Sequence, residues 1–129
     1  MELPDGFRFT EDHEWAREED DQTITVGITD HAQDQLGELV YVELPHDGDE
    51  VVAGEEFAVV ESTKAASEVY APVSGTVVEV NDLLLDDPGA VNDAPYEDGW
   101  LIRIEPDDPA EFDGLMDVEA YETFLTEDA

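Results

Sequence analysis

The chain has 129 residues, with 37 Asp and Glu, four Lys and Arg and no cysteine, so its formal net charge is −33. This acidity excludes ordinary nucleic-acid binding, because phosphates would be repelled, and the lack of cysteine excludes disulfides and thiolate metal sites. The sequence has no apolar run long enough to span a membrane, and residues 1–5 lack the basic start and apolar stretch expected of a signal peptide. We therefore expect a cytoplasmic protein with no membrane or nucleic-acid partner.

The acidic residues are spread along the chain and alternate with apolar residues, which make up 41% of it. High net charge favours disorder only where apolar content is low. The pattern instead favours a folded halophilic protein. At 1 M salt the Debye length falls to about 3 Å, so repulsion among the carboxylates is screened. We expect one domain over residues 1–129, with a core at about 7–105 and a C-terminal helical segment at about 109–125.

The first third predicts short strands around one helix. β-Branched and aromatic residues predict strands at 7–9, 23–28 and 39–44. Between the last two, residues 30–36 are expected to form a helix. Asp30 would cap its start, with Gln33 three residues later, and Gly37 would end it.

The middle of the chain contains two similar strand–turn–strand halves. The predicted strands are 57–61, 67–71 and 76–81, with glycine turns at 53–55 and 72–75. Many short strands with Gly and Pro turns indicate a small sandwich or barrel. Lys64 lies in the link between the halves, so we expect it at the exposed tip of a β-hairpin.

The last third predicts loops at 86–89 and 92–99, a strand at 100–104 and a helical turn at 109–116. A final helix is expected at about 117–125. Its apolar residues fall on one helical face and indicate packing rather than a binding site: Val118, Tyr121, Phe124 and Leu125.

Lys64 is the only lysine in the chain. An arginine would usually serve a structural ion pair as well, whereas only lysine offers an amine that can be acylated. The three histidines, His13, His31 and His46, show no metal-ligand spacing, and no phosphate loop or local catalytic motif is present. We therefore expect no metal site and no enzymatic activity.

Two segments flank this lysine in a recognisable pattern. Residues 60–65 (VESTKA) and 72–77 (PVSGTV) resemble the lipoyl attachment motif of glycine cleavage H proteins. The likeness extends over roughly residues 7–125 through several further stretches: 13–15 (HEW), 26–33 (VGITDHAQ), 36–38 (LGE), 42–45 (VELP), 91–92 (VN), 95–96 (PY), 99–101 (GWL) and 115–116 (LM).

The resemblance implies a mainly β, barrel-sandwich hybrid fold of the lipoyl/biotinyl type, with short helices near the N-terminal third and at the C-terminus. It also implies lipoic acid in amide linkage to Lys64. The lipoyl group on its lysine side chain would carry an aminomethyl group from a pyridoxal-phosphate glycine decarboxylase to a tetrahydrofolate-dependent aminomethyltransferase. Dihydrolipoamide dehydrogenase would then reoxidise it, and a lipoate-attaching enzyme would install it. We expect a monomer.

The resemblance further points to Glu14 or Glu68 as the carboxylate that meets the charged amine of the cargo in a cleft beside the hairpin. Glu68 takes a place where the family often has Asp, and Gln35 one where some relatives have His, so no acid–base role is assigned to Gln35. The alternative for all three is an ordinary solvated side chain.

Other functions remain open from the sequence. A biotin carrier usually shows Met-Lys-Met at its lysine, whereas Thr63 and Ala65 flank Lys64. Lipoyl domains of 2-oxoacid dehydrogenases often show Asp-Lys-Ala within larger chains. A lipoyl-relay or non-carrier H-protein relative is the remaining alternative.

The charge yields a first prediction. At low salt the fold should loosen, because repulsion among the carboxylates is no longer screened. Circular dichroism should show lost native ellipticity and a broad thermal transition in dilute buffer. Full ellipticity and cooperative unfolding there would contradict the assignment to a salt-adapted protein.

Overall fold

The computed structural model describes residues 6–127. Within them the chain forms nine strands and five short helices. The strands are β1 (Arg8–Phe9), β2 (Glu14–Glu18), β3 (Ile24–Ile28), β4 (Leu39–Glu43), β5 (Glu50–Val51), β6 (Glu56–Ser62), β7 (Ala66–Tyr70), β8 (Gly75–Val80) and β9 (Ile102–Pro106). The helices are α1 (Asp30–Leu36), α2 (Leu83–Asp86), α3 (Ala90–Asp93), α4 (Ala110–Asp113) and α5 (Val118–Glu127).

The strands form two antiparallel sheets. The larger has the order β1-β2-β3-β9-β8-β5, and the smaller the order β4-β6-β7. The mainly β architecture, with short helices in the N-terminal third and at the C-terminus, is confirmed. Strand β2 was not predicted, because its sequence EWARE lacks the β-branched residues that mark strands.

The aliphatic residues of both sheets form one core. They include the alternating Ala58 and Val60 of β6, together with Leu39 and Val42 of β4, which lie on either side of a bulge. All five residues of β3 are buried. A second, aromatic cluster of Phe7, Phe9, Trp15 and Tyr121 joins the N-terminal strands to α5. The packing role predicted for the apolar face of α5 is therefore confirmed.

The N-cap of helix α1 lies one residue earlier than the sequence indicated. Thr29, not Asp30, is the N-cap: its backbone is extended and its hydroxyl accepts a hydrogen bond from Ala32 N at 3.2 Å. Asp30 lies inside the first turn and accepts a bond from Gln33 Nε2 at 2.7 Å. Gly37 ends the helix as predicted, with φ of +85°.

Several boundaries in the last third differ from the predictions. Parts of the expected loops form α2 and α3, because the side chains of Leu84 and Val91 are buried against the core. The strand expected at 100–104 is shifted to Ile102–Pro106, the stretch that pairs with β8. Helices α4 and α5 lie where helical turns were predicted. None of the helices between residues 6 and 127 is both long and apolar enough to cross a membrane.

Candidate functional site

Lys64 lies at the tip of the hairpin that joins β6 to β7. The tip is closed by Ser62, whose N–H donates to Ala65 O at 2.7 Å. The Ser62 hydroxyl accepts hydrogen bonds from Ala65 N at 3.0 Å and from Lys64 N at 3.3 Å. These bonds hold the backbone of the tip while Lys64 itself is exposed.

The basic residues divide into two groups. Arg17 and Arg103 form ion pairs with Glu19 and Glu79, each at 2.7 Å. Arg8 donates to backbone carbonyls near α4. Among residues 6–127, Lys64 is the basic side chain without an ion pair or a side-chain hydrogen bond. The arginines therefore serve the structure, and the lysine amine is left available.

Glu14 is buried, with 2% of its surface exposed, so it is not the solvated side chain that the alternative required. Its carboxylate accepts hydrogen bonds from Thr10 Oγ1 at 2.6 Å and from the backbone N–H of Tyr70 at 3.1 Å. Burial raises the pKa of Glu14 from 4.5 to about 7, against the opposing effect of the two hydrogen bonds. Near neutral pH this carboxyl group can therefore hold or release a proton.

Glu68 is exposed on β7 and accepts a hydrogen bond from the Tyr70 hydroxyl at 3.2 Å. That contact and the carboxylate charge raise the pKa of Tyr70. Tyr70 thus contacts both predicted carboxylates, Glu14 through its backbone and Glu68 through its side chain. Gln35 is exposed on α1.

A polar chain that the sequence analysis missed lies beside Glu14. His13 Nδ1 and the Tyr121 hydroxyl are 2.7 Å apart, and that hydroxyl lies 3.0 Å from Thr29 Oγ1. Burial raises the pKa of Tyr121 to about 12. The ring centroids of His13 and His31 lie 4.4 Å apart, although the two residues are 18 positions apart in the sequence. In the described part of the chain, no three His, Cys, Asp or Glu residues are grouped to hold a metal ion.

A second missed residue is Asn92 on α3. Its Nδ2 donates to Gly37 O and to Gln33 Oε1, both at 2.9 Å, and its Oδ1 accepts from Leu39 N at 2.9 Å. It thereby fastens the end of α1 to α3. The only sequence signal was its place in the VN stretch of the family resemblance, which carries no geometric information.

The comparisons with known proteins confirm the lipoyl-type fold that the sequence predicted. A family model described as Glycine cleavage H-protein matches residues 7–128. A glycine cleavage system H protein from Anaeromyxobacter sp. (strain K) is 58% identical over 127 residues, which are 98% of each chain. The one from Halorhodospira halophila is 52% identical over 127 residues, again 98% of each. The crystal structure of an H protein from Mycobacterium marinum superposes with a TM-score of 0.84 at 36% identity, covering 98% of both chains.

The raised pKa of Glu14 predicts a specific pH dependence of stability. Between about pH 4.5 and 7 the unfolded chain loses this proton while the folded chain keeps it, so the free energy of unfolding falls as pH rises. Measured in high salt, the wild-type protein should lose about 2–3 kcal/mol over this range relative to Glu14→Gln. Glu105→Gln, which removes one exposed charge, is the control for net charge; parallel curves for wild type and Glu14→Gln would refute the shift.

Proposed function

The chain belongs to the glycine cleavage H-protein family, the lipoyl-carrying shuttle of the glycine cleavage system, and we propose that Lys64 is the residue that carries its lipoyl group. The observation that carries this proposal is the position of the single lysine. It is exposed, unpaired among the described residues and held at the tip of a closed hairpin.

The hairpin suits attachment of a lipoyl group through an amide. The donor would be a lipoyl group activated as an acyl phosphate ester. The Lys64 amine attacks its acyl carbon and a C–N bond forms. The acyl–oxygen bond then breaks, and the phosphate leaves with the electron pair. The amine proton goes to solvent. The attached group supplies a cyclic disulfide that exchanges at sulfur. The protein contributes a fixed tip that leaves the amine accessible.

We propose that Glu14 or Glu68 meets the positively charged amine of the bound aminomethyl group. Glu14 is buried and hydrogen-bonded, so its carboxylate is held in one orientation next to β7. Glu68 is exposed on the same strand and shares Tyr70 with it. A carboxylate in a low-dielectric site attracts a cation more strongly than one in water. Meeting the cargo there would also keep water from its reactive carbon.

The protein is a carrier in the glycine cleavage system, and we propose that it catalyses no reaction by itself. Its proposed partners are glycine decarboxylase, aminomethyltransferase, dihydrolipoamide dehydrogenase and a lipoate-attaching enzyme. We further propose that residues 1–129 act as a single lipoyl-carrier domain, as a monomer, in the cytoplasm.

The Lys64→Arg variant should take up no lipoyl group from a lipoate-attaching ligase supplied with lipoic acid and ATP, because a guanidinium is not acylated under these conditions. In a reconstituted system the variant should support no glycine-dependent release of carbon dioxide. Its thermal unfolding should match that of the wild type, since the side chain forms no ion pair in the described structure. Wild-type rates from Lys64→Arg would disprove the assignment.

Loss of either carboxylate should shorten the lifetime of the bound aminomethyl group. We expect Glu14→Gln to release ammonia and formaldehyde from the loaded protein roughly tenfold faster than wild type, with a smaller effect for Glu68→Gln, because the buried carboxylate is less screened. Glu105→Gln, an exposed carboxylate on β9, is the matched control. Equal lifetimes for all four proteins would exclude the two carboxylates from this role.

A further inference from the structure

The side chain of Lys64 lies over the backbone of Gly37, at the end of α1. A Cβ atom built on Gly37 would be 3.2 Å from Lys64 Cε, 3.7 Å from Nζ and 3.9 Å from Cδ. The first of these distances is shorter than an ordinary carbon–carbon contact. A methyl group at residue 37 would therefore push the end of the lysine side chain, next to the reactive nitrogen, aside by a few tenths of an ångström.

The backbone of Gly37 also requires glycine. Its φ of +85° and ψ of −167° fall in a region that other residues rarely adopt. Its N–H donates to Gln33 O at 2.9 Å, which ends the helix and turns the chain towards β4. The turn is thus compatible with a bare backbone surface facing the hairpin tip.

Asn92 holds this surface in place. Its amide nitrogen donates to Gly37 O and Gln33 Oε1, and its amide oxygen accepts from Leu39 N. One side chain therefore binds the residues on both sides of the turn at Gly37. Beside the turn lies a cavity of about 500 Å³, lined in part by Asp34, Glu38, Asp87 and Asp93. This negative lining attracts the Lys64 side chain towards the turn.

We propose that Gly37 and Asn92 are positioning residues for the acylation of Lys64. Gly37 provides a backbone surface without a side chain, against which the lysine methylenes pack. Asn92 keeps that surface at a constant distance from the hairpin tip. The amine is then presented in one direction to the activated acyl donor, which reduces the orientational cost of the attack. This inference rests on the proposed function of Lys64.

The test compares two glycines with the same φ. Gly37 and Gly54 both have φ of +85°, but a Cβ on Gly54 would meet nothing within 4 Å. Only Gly37→Ala places a methyl group against Lys64, and the thermal unfolding of each variant reports the backbone strain that its alanine introduces. Wild type and both variants are acylated by a lipoate-attaching ligase with lipoic acid and ATP, and the product is followed by intact mass.

We expect Gly37→Ala to lower kcat/KM for transfer roughly three- to tenfold, and Gly54→Ala to leave it within about twofold of wild type. Asn92→Asp keeps the acceptor for Leu39 N but removes the donor to Gly37 O, and it should resemble Gly37→Ala. Thermal unfolding of each variant separates this effect from loss of folding. Equal kcat/KM for Gly37→Ala and Gly54→Ala would overturn the inference.

A spectroscopic readout tests the contact independently of the ligase. In the unmodified wild-type protein, a nuclear Overhauser effect should connect the ε protons of Lys64 with the α protons of Gly37, and Asn92→Asp should weaken it. Absence of this effect from the folded wild type would refute the contact between Lys64 and Gly37. If wild-type Lys64 shows the contact but is never acylated, the proposed function fails instead, so the two failures are distinguishable.

Discussion

The pairing of β6 with β7 is the interaction on which the candidate site depends. Its register sets Glu61 opposite Ala66 and leaves four residues for the turn that Ser62 closes around Lys64. The same register buries Val60 and Val69 and sets Glu68 opposite Val59 on the other face. A slip by one residue would exchange the two faces. The buried valines oppose such a slip, so core packing and the position of the lysine are specified together.

The N-terminal strands bring Glu14 to this hairpin, and the aromatic cluster holds them there. Trp15 packs against Gly27, where a Cβ would lie 2.6 Å from its ring, and donates from Nε1 to Pro95 O at 2.9 Å. Phe9 stacks on Tyr121 with ring centroids 4.6 Å apart. Since Glu14 adjoins Trp15 in β2, this packing fixes its carboxylate against the outer N–H of Tyr70 on β7. Desolvation and a backbone hydrogen bond thus arise from the fold itself.

Local patterns predicted much of this architecture, and long-range contacts account for the rest. The strands rich in β-branched residues, the helix ending at Gly37 and the hairpin with Lys64 could be read from the sequence, because each follows from a local rule. Burial of Glu14, the approach of His13 to His31 and the bonds of Asn92 to Gly37 and Leu39 could not. Each joins segments that are distant in sequence, or depends on which sheet face a strand presents. Thr29 caps α1 in place of Asp30 because its backbone is extended and its hydroxyl accepts from Ala32 N; the same hydroxyl also contacts the distant Tyr121 hydroxyl.

The attachment of a lipoyl group to Lys64 is the central claim, and the intact mass of the protein purified from its native host tests it most directly. The chain contains one lysine, so a single lipoyl increment, located to Lys64 by fragmentation, is the result that the account predicts. A biotin increment would assign the protein to a different class of carrier. An unmodified Lys64 in cells that contain lipoylated 2-oxoacid dehydrogenases would contradict the account.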